Sequence, residues 1–569
     1  MLPPAHWLAA SYVLPCALLL ASPASADLSY RVGAPSSSSQ QPRGFLVDLT
    51  GALLQPVANL LSPTINYIPK ALGLTLNPHG ALQLPSSQNG SDPVTVSKAL
   101  QIDAPPIDLG QFLRDVTPQY NISAALDVAC SAINLALPQA EYFGRICLAP
   151  DCVTSTTKYY NARQAGARPA CVTYPQTSQD VSEIMQQLVK YDVTYAVRSA
   201  GHSTGINLTD PTNRHGFSST TGVLIDMTKM QGVSFDAKTG IARWELGQDW
   251  GTLATNLLPY KAQVAGGRLG AVGPGLFLGG GISWFTGQVG FGSDTATAYE
   301  IVLPTADGKL VTATATNAYS DLFWAQKAGL NAFGIVTAVH SRTLPGESFY
   351  GGSVIFPNNR MEDVLGAYAN WINGGADRCS KGFILPAITS ALVEIPLGDT
   401  ELIELDIFEF FYDGTDPGDC FADFNAINGT LYDDRQPQPY PDFLNKALTN
   451  QKFAFSGFNN ALYNVASDLL NKDQLIKIYR TWQQSALETS GTYLQNALSF
   501  SVVTKTGLAA HRAAGGSAFG VEGLQEGFLW VCSVAGSVPA IGALTDTKLF
   551  ASDVAYTQAS VPKSKRSLP

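Results

Sequence analysis

The sequence predicts an α+β chain of at least two domains. A capped amphipathic helix over Thr177–Tyr191 runs into an alternating strand at 193–197. Two apolar strands, Tyr299–Pro304 and Leu310–Thr314, flank Asp307-Gly308 as a hairpin. After Leu344 the pattern changes. A long strand, Leu402–Tyr412, and a helix, Asp473–Ser490, mark a second region.

Each element has a local reason. Thr177 or Ser178 can cap the first helix, and Asp180 and Glu183 sit in its first turn. Val181, Ile184, Met185 and Leu188 recur at helical spacing and share a face. Gly222–Asp226 and Ile241–Leu246 read as further strands, the latter stopped by Gly247. Ser123–Leu137 is a helix candidate at the start of the folded part. Asp321–Ala325 reads as a short amphipathic helix and Phe333–Thr337 as a buried strand.

Composition limits the function. At 569 residues the chain is too long for one ordinary core, and 45% hydrophobic content excludes a disordered chain. A net charge of −10 with no basic block speaks against nucleic-acid or anionic-membrane partners. Residues 1–26 read as a secretory signal: an apolar run from Trp7 to Ala21, then Ala24-Ser25-Ala26. The run is too short to span a bilayer, so no stable membrane anchor is expected. Residues 27–125, with a polar low-complexity patch at Ser36–Gln41, read as a poorly structured extension.

Seven cysteines follow the signal: Cys130, Cys147, Cys152, Cys171, Cys379, Cys420 and Cys532. In an oxidising compartment they permit three bridges and one free thiol, with the pairing left open. The lack of a Cys-x-x-Cys pair and the scattered histidines speak against a metal site. Four glycosylation acceptors, at Asn89, Asn121, Asn207 and Asn428, accord with export.

Chemistry concentrates in three stretches. In the first, a strand runs straight into Arg198-Ser199-Ala200-Gly201-His202-Ser203. Small side chains there let backbone N–H groups close on an anion such as a diphosphate. A histidine in such a loop can be base, ligand or nucleophile, although alone it is most often just solvated. The second is a glycine-dense loop carrying Gly267, Arg268, Leu269, Val272, Gly273, Gly275, Gly279, Gly280 and Gly281. It permits close backbone approach to a flat or phosphorylated ligand. It is neither a Walker loop nor a dinucleotide fingerprint, and a purely structural loop is the competing reading. The third is Asp321–Ala325 with Phe333–Thr337, which includes Ile335 and alone would be core.

In this order and spacing the three stretches resemble the flavin domain of the vanillyl-alcohol oxidase and p-cresol methylhydroxylase (PCMH) superfamily. The nearest branch is the secreted fungal berberine-bridge-enzyme-like oxidases. The resemblance spans about Cys130 to Pro345, with further blocks at Arg168–Val172, Gly247–Trp250 and Gly290–Asp294. It implies a two-subdomain, PCMH-type FAD-binding domain over 167–346, after a lead-in helical segment at 126–166. A substrate domain with an antiparallel sheet flanked by helices follows over 347–510, then an atypical tail over 511–569.

The resemblance also implies roles. The first loop would wrap the FAD diphosphate, and His202 would bond covalently to the flavin methyl carbon. Relatives often add a cysteine bond; here that place holds Leu269, so a single covalent bond is expected. Val272 falls at the oxygen-gate position, where valine favours O2 as acceptor. Glu404, Asp406 and Tyr412 are the candidates for the group that accepts the substrate proton, against the alternative that they face solvent or pair with bases. Trp371 and Tyr368 are candidates for stacking on a sugar or aromatic substrate, or are simply core.

The expected function is a secreted, monomeric FAD oxidase that takes hydride from an alcohol or amine carbon and passes electrons to O2. The family's closing Tyr-x-Asn-Tyr segment is missing after Asn496, which supports an alternative: a secreted flavin-holding glycoprotein without turnover. A nicotinamide dehydrogenase is disfavoured by the lack of a dinucleotide fingerprint.

Overall fold

A computed structural model of the chain describes residues 75–76, 82–83 and, with short breaks, 124–537. The expected signal, nearly all of the 27–125 extension and three of the sequons (Asn89, Asn121 and Asn207) lie outside the described residues. Asn428 is exposed, ahead of a turn at Gly429. No described helix is long and apolar enough to cross a membrane.

Two five-stranded sheets build the first domain. In one, Cys171–Tyr174, Val223–Asp226 and Tyr195–Arg198 run parallel, flanked by Glu141–Phe143 and His215–Gly216. The first two of these strands are buried at every residue, as expected where elements cover both faces of a parallel sheet. In the other, Leu310–Thr314, Ala296–Val302, Ile335–Arg342, Ile241–Glu245 and Val233–Asp236 lie side by side and antiparallel. The expected hairpin is present, with Val302 opposite Leu310.

The helix Ser178–Tyr191 joins the two sheets. Thr177 caps it: its hydroxyl accepts from the Asp180 N–H at 3.1 Å, and the Asp180 carboxylate accepts from the Thr177 N–H at 3.1 Å. Such a cap contributes about 1 kcal/mol. Val181, Ile184, Met185 and Leu188 are all buried, in one cluster with Val223 and Ile225 of the first sheet and Val302 and Ile335 of the second. The strand ends on either side of this helix are therefore held in fixed relation.

The second domain is an antiparallel sheet of eight strands. Its main path runs Tyr432–Asp433, Ser348–Phe356, Thr400–Tyr412, Gly382–Glu394, Tyr493–Val503, Phe528–Ser537 and Asn459–Asp468. The helices Met361–Asn370 and Lys472–Glu488 bury one face, packing Val364, Leu365, Ile478 and Tyr479 on Ile388, Phe408 and Phe500. The opposite face meets the first domain. There Trp284 packs on Phe383, Phe411 and Phe443, with ring centroids 5.6, 5.7 and 5.0 Å apart. Each such pair contributes about 0.5–1.5 kcal/mol beyond area burial, so the sheet is held firmly over the first domain.

The boundary expected at residue 510 falls inside this domain. Phe528–Ser537 pairs along its whole length with Asn459–Asp468 and also with Tyr493–Val503. Its Leu529 and Val531 are buried under the helices. An interior strand must satisfy both edges of its backbone, so this part of 511–569 is integral to the sheet rather than a tail.

Disulfides join Cys130 to Cys171 and Cys379 to Cys420. Cys152 is also disulfide-bonded, and Cys532 is a free thiol.

Candidate functional site

A cavity of ≈ 580 Å³ opens where the first domain meets the second. Ser199, Ala200, Gly201, His202, Ser203, Val272, Gly273, Gly275, Gly279 and Ile335 all line it. Stretches more than a hundred residues apart thus converge, as the motif reading expected. Leu246, Leu278 and Val336 give it apolar walls. His202 is the only titratable side chain among the lining residues.

The 199–203 loop leaves the strand Tyr195–Arg198 and turns at Gly201, whose φ is +74°. A side chain there would be strained and would meet Tyr159 at 2.9 Å. The backbone N–H groups of Ala200, Gly201 and His202 have no partner among the described residues. The loop is braced from behind by Arg198, which is buried. It donates to the Asp226 carboxylate at 2.7 Å and to the Lys158 carbonyl at 2.9 Å. Asp226 also accepts from Ser155 at 2.5 Å. Arg198 was expected among the cofactor contacts; it is instead a strut beneath the loop, absent from the cavity lining.

His202 stacks on Tyr160, with ring centroids 5.2 Å apart and planes 19° apart. Burial, aided by the Lys158 and Arg198 charges, lowers its pKa to about 4 against an opposing pull from Asp249. The imidazole is therefore neutral at neutral pH and keeps a free lone pair.

Three other expected contacts also prove structural. Gly267 packs on the Trp250 indole, where an added Cβ would come within 1.9 Å of Cδ1. Gly280 and Gly281 turn the loop, accepting from the Ser293 and Gly292 N–H groups at 2.9 and 2.7 Å. Glycine density marked the right loop, but it could not separate glycines that face a ligand from glycines that admit a neighbouring chain.

The catalytic candidates are not at the cavity. On Thr400–Tyr412 successive side chains alternate between faces. Even-numbered residues, Phe408 and Phe410 among them, lie under the helices, and Glu404, Asp406 and Tyr412 share that side. Glu404 accepts from the Tyr479 hydroxyl and from Gln483 Nε2 at 2.8 Å, both on the Lys472–Glu488 helix. Asp406 is fully buried. Burial first, and then the adjacent Glu404 carboxylate, raise its pKa far above the usual carboxylate range. Tyr412 packs beside Trp371 and the Cys379–Cys420 bridge in a separate hollow. Trp371 and Tyr368 are buried in the same helix-side core. All three candidates are thus removed from the cavity by the thickness of the sheet.

The sheet instead presents its other face. Asn464 lines the cavity and accepts from Trp530 Nε1 at 3.0 Å. Cys532 lies opposite Asn464 in the strand register. Asn464, Leu330 and Asn331 at the cavity, and Tyr160 behind His202, escaped the sequence reading; no spacing or motif distinguishes them, since only the tertiary fold brings them there.

The residues present fit FAD. Unpaired backbone N–H groups at a small-residue loop suit a diphosphate, apolar walls suit flat rings, and buried Asn331 Nδ2 lacks a partner. Comparison with known proteins agrees. Residues 169–314 match the FAD binding domain family. An FAD-dependent monooxygenase of Arthrobotrys oligospora is 35% identical over 225 residues, covering 39% of this chain and 42% of that protein. The bifunctional solanapyrone synthase of Alternaria solani is 34% identical over 264 residues, or 46% of this chain and 49% of that one. The match thus spans less than half the length of either relative.

The fold extends further. A xylooligosaccharide oxidase from Myceliophthora thermophila superposes with a TM-score of 0.59 at 18% identity, covering 78% of this chain and 89% of that one. Berberine bridge enzyme does so with a TM-score of 0.56 at 15% identity, covering 78% and 86%. The chain therefore carries an FAD-binding domain over residues 169–314. Its fold is similar, over 78% of the chain, to those of berberine bridge enzyme and xylooligosaccharide oxidase.

Proposed function

We propose that this chain is a secreted FAD-linked oxidase that takes hydride from an alcohol or amine carbon and reduces O2 to H2O2. The observation that carries the reading is the convergence of the 199–203 loop, the 272–279 loop and Ile335 on one cavity beside a neutral His202. Bound FAD would supply the hydride acceptor and the route to O2. The chain's own residues hold it. The 199–203 loop offers N–H donors to the diphosphate, and Tyr160 fixes the plane of the His202 ring. That imidazole is the single group that would carry a covalent bond to the flavin. Val272 lines the cavity, and its small side chain would leave room for O2.

The first test is an absorbance spectrum of the secreted protein before and after acid precipitation. Yellow colour retained in the pellet supports the His202 tether; colour released to the supernatant refutes it. Peroxide formation on a panel of sugars, alcohols and amines then tests turnover. The displacement of Glu404, Asp406 and Tyr412 from the cavity favours a second reading, a flavin-holding glycoprotein without turnover. That reading predicts bound flavin that no member of the panel reduces.

A further inference from the structure

Arg268 lies half-buried with no carboxylate beside it among the described residues. Its main chain is fixed, since its carbonyl accepts from Trp284 Nε1 at 2.9 Å. The guanidinium donates to Ser501 Oγ at 2.7 Å and lies over the Phe383 ring, 5.5 Å from its centroid. No carboxylate pairs with it among the described residues. The ionisable groups that bear on it are Cys532 and Tyr368. Both are neutral near pH 7, because burial pushes the Cys532 thiol up to about 11 and the Tyr368 phenol higher still. Burial also lowers Arg268 itself to about 10, which leaves it cationic at neutral pH.

A buried charge is normally paired, because leaving it bare costs several kcal/mol. Here the residue as a whole is half-buried. Its neighbours connect it to the cavity. Cys532 lies opposite Asn464, which lines the cavity, and Cys532 also bears on Tyr160, the ring stacked on His202. Arg268 does not itself line the cavity, but its partner Ser501 lies opposite Trp530 in the strand register, and Trp530 donates to the lining residue Asn464, so the guanidinium sits on the sheet face that the cavity adjoins.

We propose that Arg268 is the substrate anchor and that the molecule oxidised carries a carboxylate. A planar guanidinium with one N–H held by Ser501 still presents donors in the geometry that a carboxylate accepts as a pair. The inference rests on the oxidase reading above and narrows it: an acid bearing an oxidisable alcohol or amine carbon is preferred to a neutral sugar. Arg268 would fix the anion while the carbon to be oxidised lies toward the flavin.

The test titrates the flavin-loaded protein with benzoate, phenylacetate and their two amides, reading both the flavin difference spectrum and the thermal midpoint. Each acid should bind at least about tenfold more tightly than its amide, equivalent to roughly 1.4 kcal/mol. Arg268→Gln should abolish that preference, and Arg268→Lys should restore part of it. Equal binding of acid and amide, no binding of either acid, or an unchanged preference in Arg268→Gln would each overturn the proposal. The wild-type comparison decides even where the variant does not fold. Protein isolated without flavin would refute the oxidase reading alone, since the thermal shift with acid against amide still reads the anion site.

Discussion

The two faces of the second domain's sheet use polar residues in opposite ways. Under the helices, Glu404 is tied to Tyr479 and Gln483, and Asp406 is sealed beside it. Toward the cavity, Asn464 keeps one bond to Trp530 and otherwise faces open space, with Arg268 held against the same side. The first face shuts its polar groups away from any ligand, both Asp406 oxygens without a hydrogen-bond partner among the described residues; the second sets them beside open space. A polar group beside a cavity can bind a ligand, whereas Glu404, bonded to the helix, serves to hold that helix in place. A carboxylate on a strand of this domain is therefore no evidence of catalysis until its face is known.

The contrast yields predictions, from the largest effect to the smallest. His202→Ala should move essentially all flavin colour from the acid pellet to the supernatant, with far-UV circular dichroism unchanged; colour that stays in the pellet would place the tether elsewhere. Glu404→Ala should lower stability by about 1–3 kcal/mol, because Tyr479 and Gln483 lose their acceptor, while turnover per bound flavin is kept. Denaturant unfolding measures the first, and a fall of tenfold or more in turnover would restore Glu404 as a catalytic group.

Asp406→Asn tests the same face by pH. The folded pKa of Asp406 is raised above the usual carboxylate range, so above about pH 4 the unfolded chain releases a proton that the folded chain retains. That contribution to stability is full at low pH and declines as pH rises toward the folded pKa. Removing the carboxyl should make the variant gain thermal midpoint on wild type between pH 4 and pH 8. A constant difference across that range would show that Asp406 is ionised in the folded state.

On the cavity side, Asn464→Ala should shift the flavin absorption band or the KM while changing stability little. A variant with unaltered spectrum and KM would show that the sheet face does not reach the ligand. The smallest effect belongs to Thr177→Ala, which should cost about 1 kcal/mol of stability through the lost cap and leave the flavin site intact.

Much of this architecture was legible before any coordinates. Thr177 and Asp180 announce their helix, the four apolar residues of its inner face fall at helical spacing, and the 299–314 hairpin follows from its turn residues. The 199–203 loop and its histidine could be assigned because that chemistry depends on adjacent residues. The strand Phe528–Ser537, apolar and β-prone in itself, fell within what reads as an atypical tail, because its two partner strands lie earlier in the chain.

The sequence by itself determined the local elements, the cofactor loops and the pairing of Glu404 with Asp406 on one face of a strand, since a period of two fixes that much. Only the tertiary structure decided which face that was. The choice depends on where the Lys472–Glu488 helix packs and where the first domain docks, and those contacts join residues far apart in the chain. The same holds for Arg268: its neighbours in sequence are glycines and a leucine, and its surroundings, with no carboxylate among the described residues, exist only once Ser501, Phe383 and Cys532 have been brought around it.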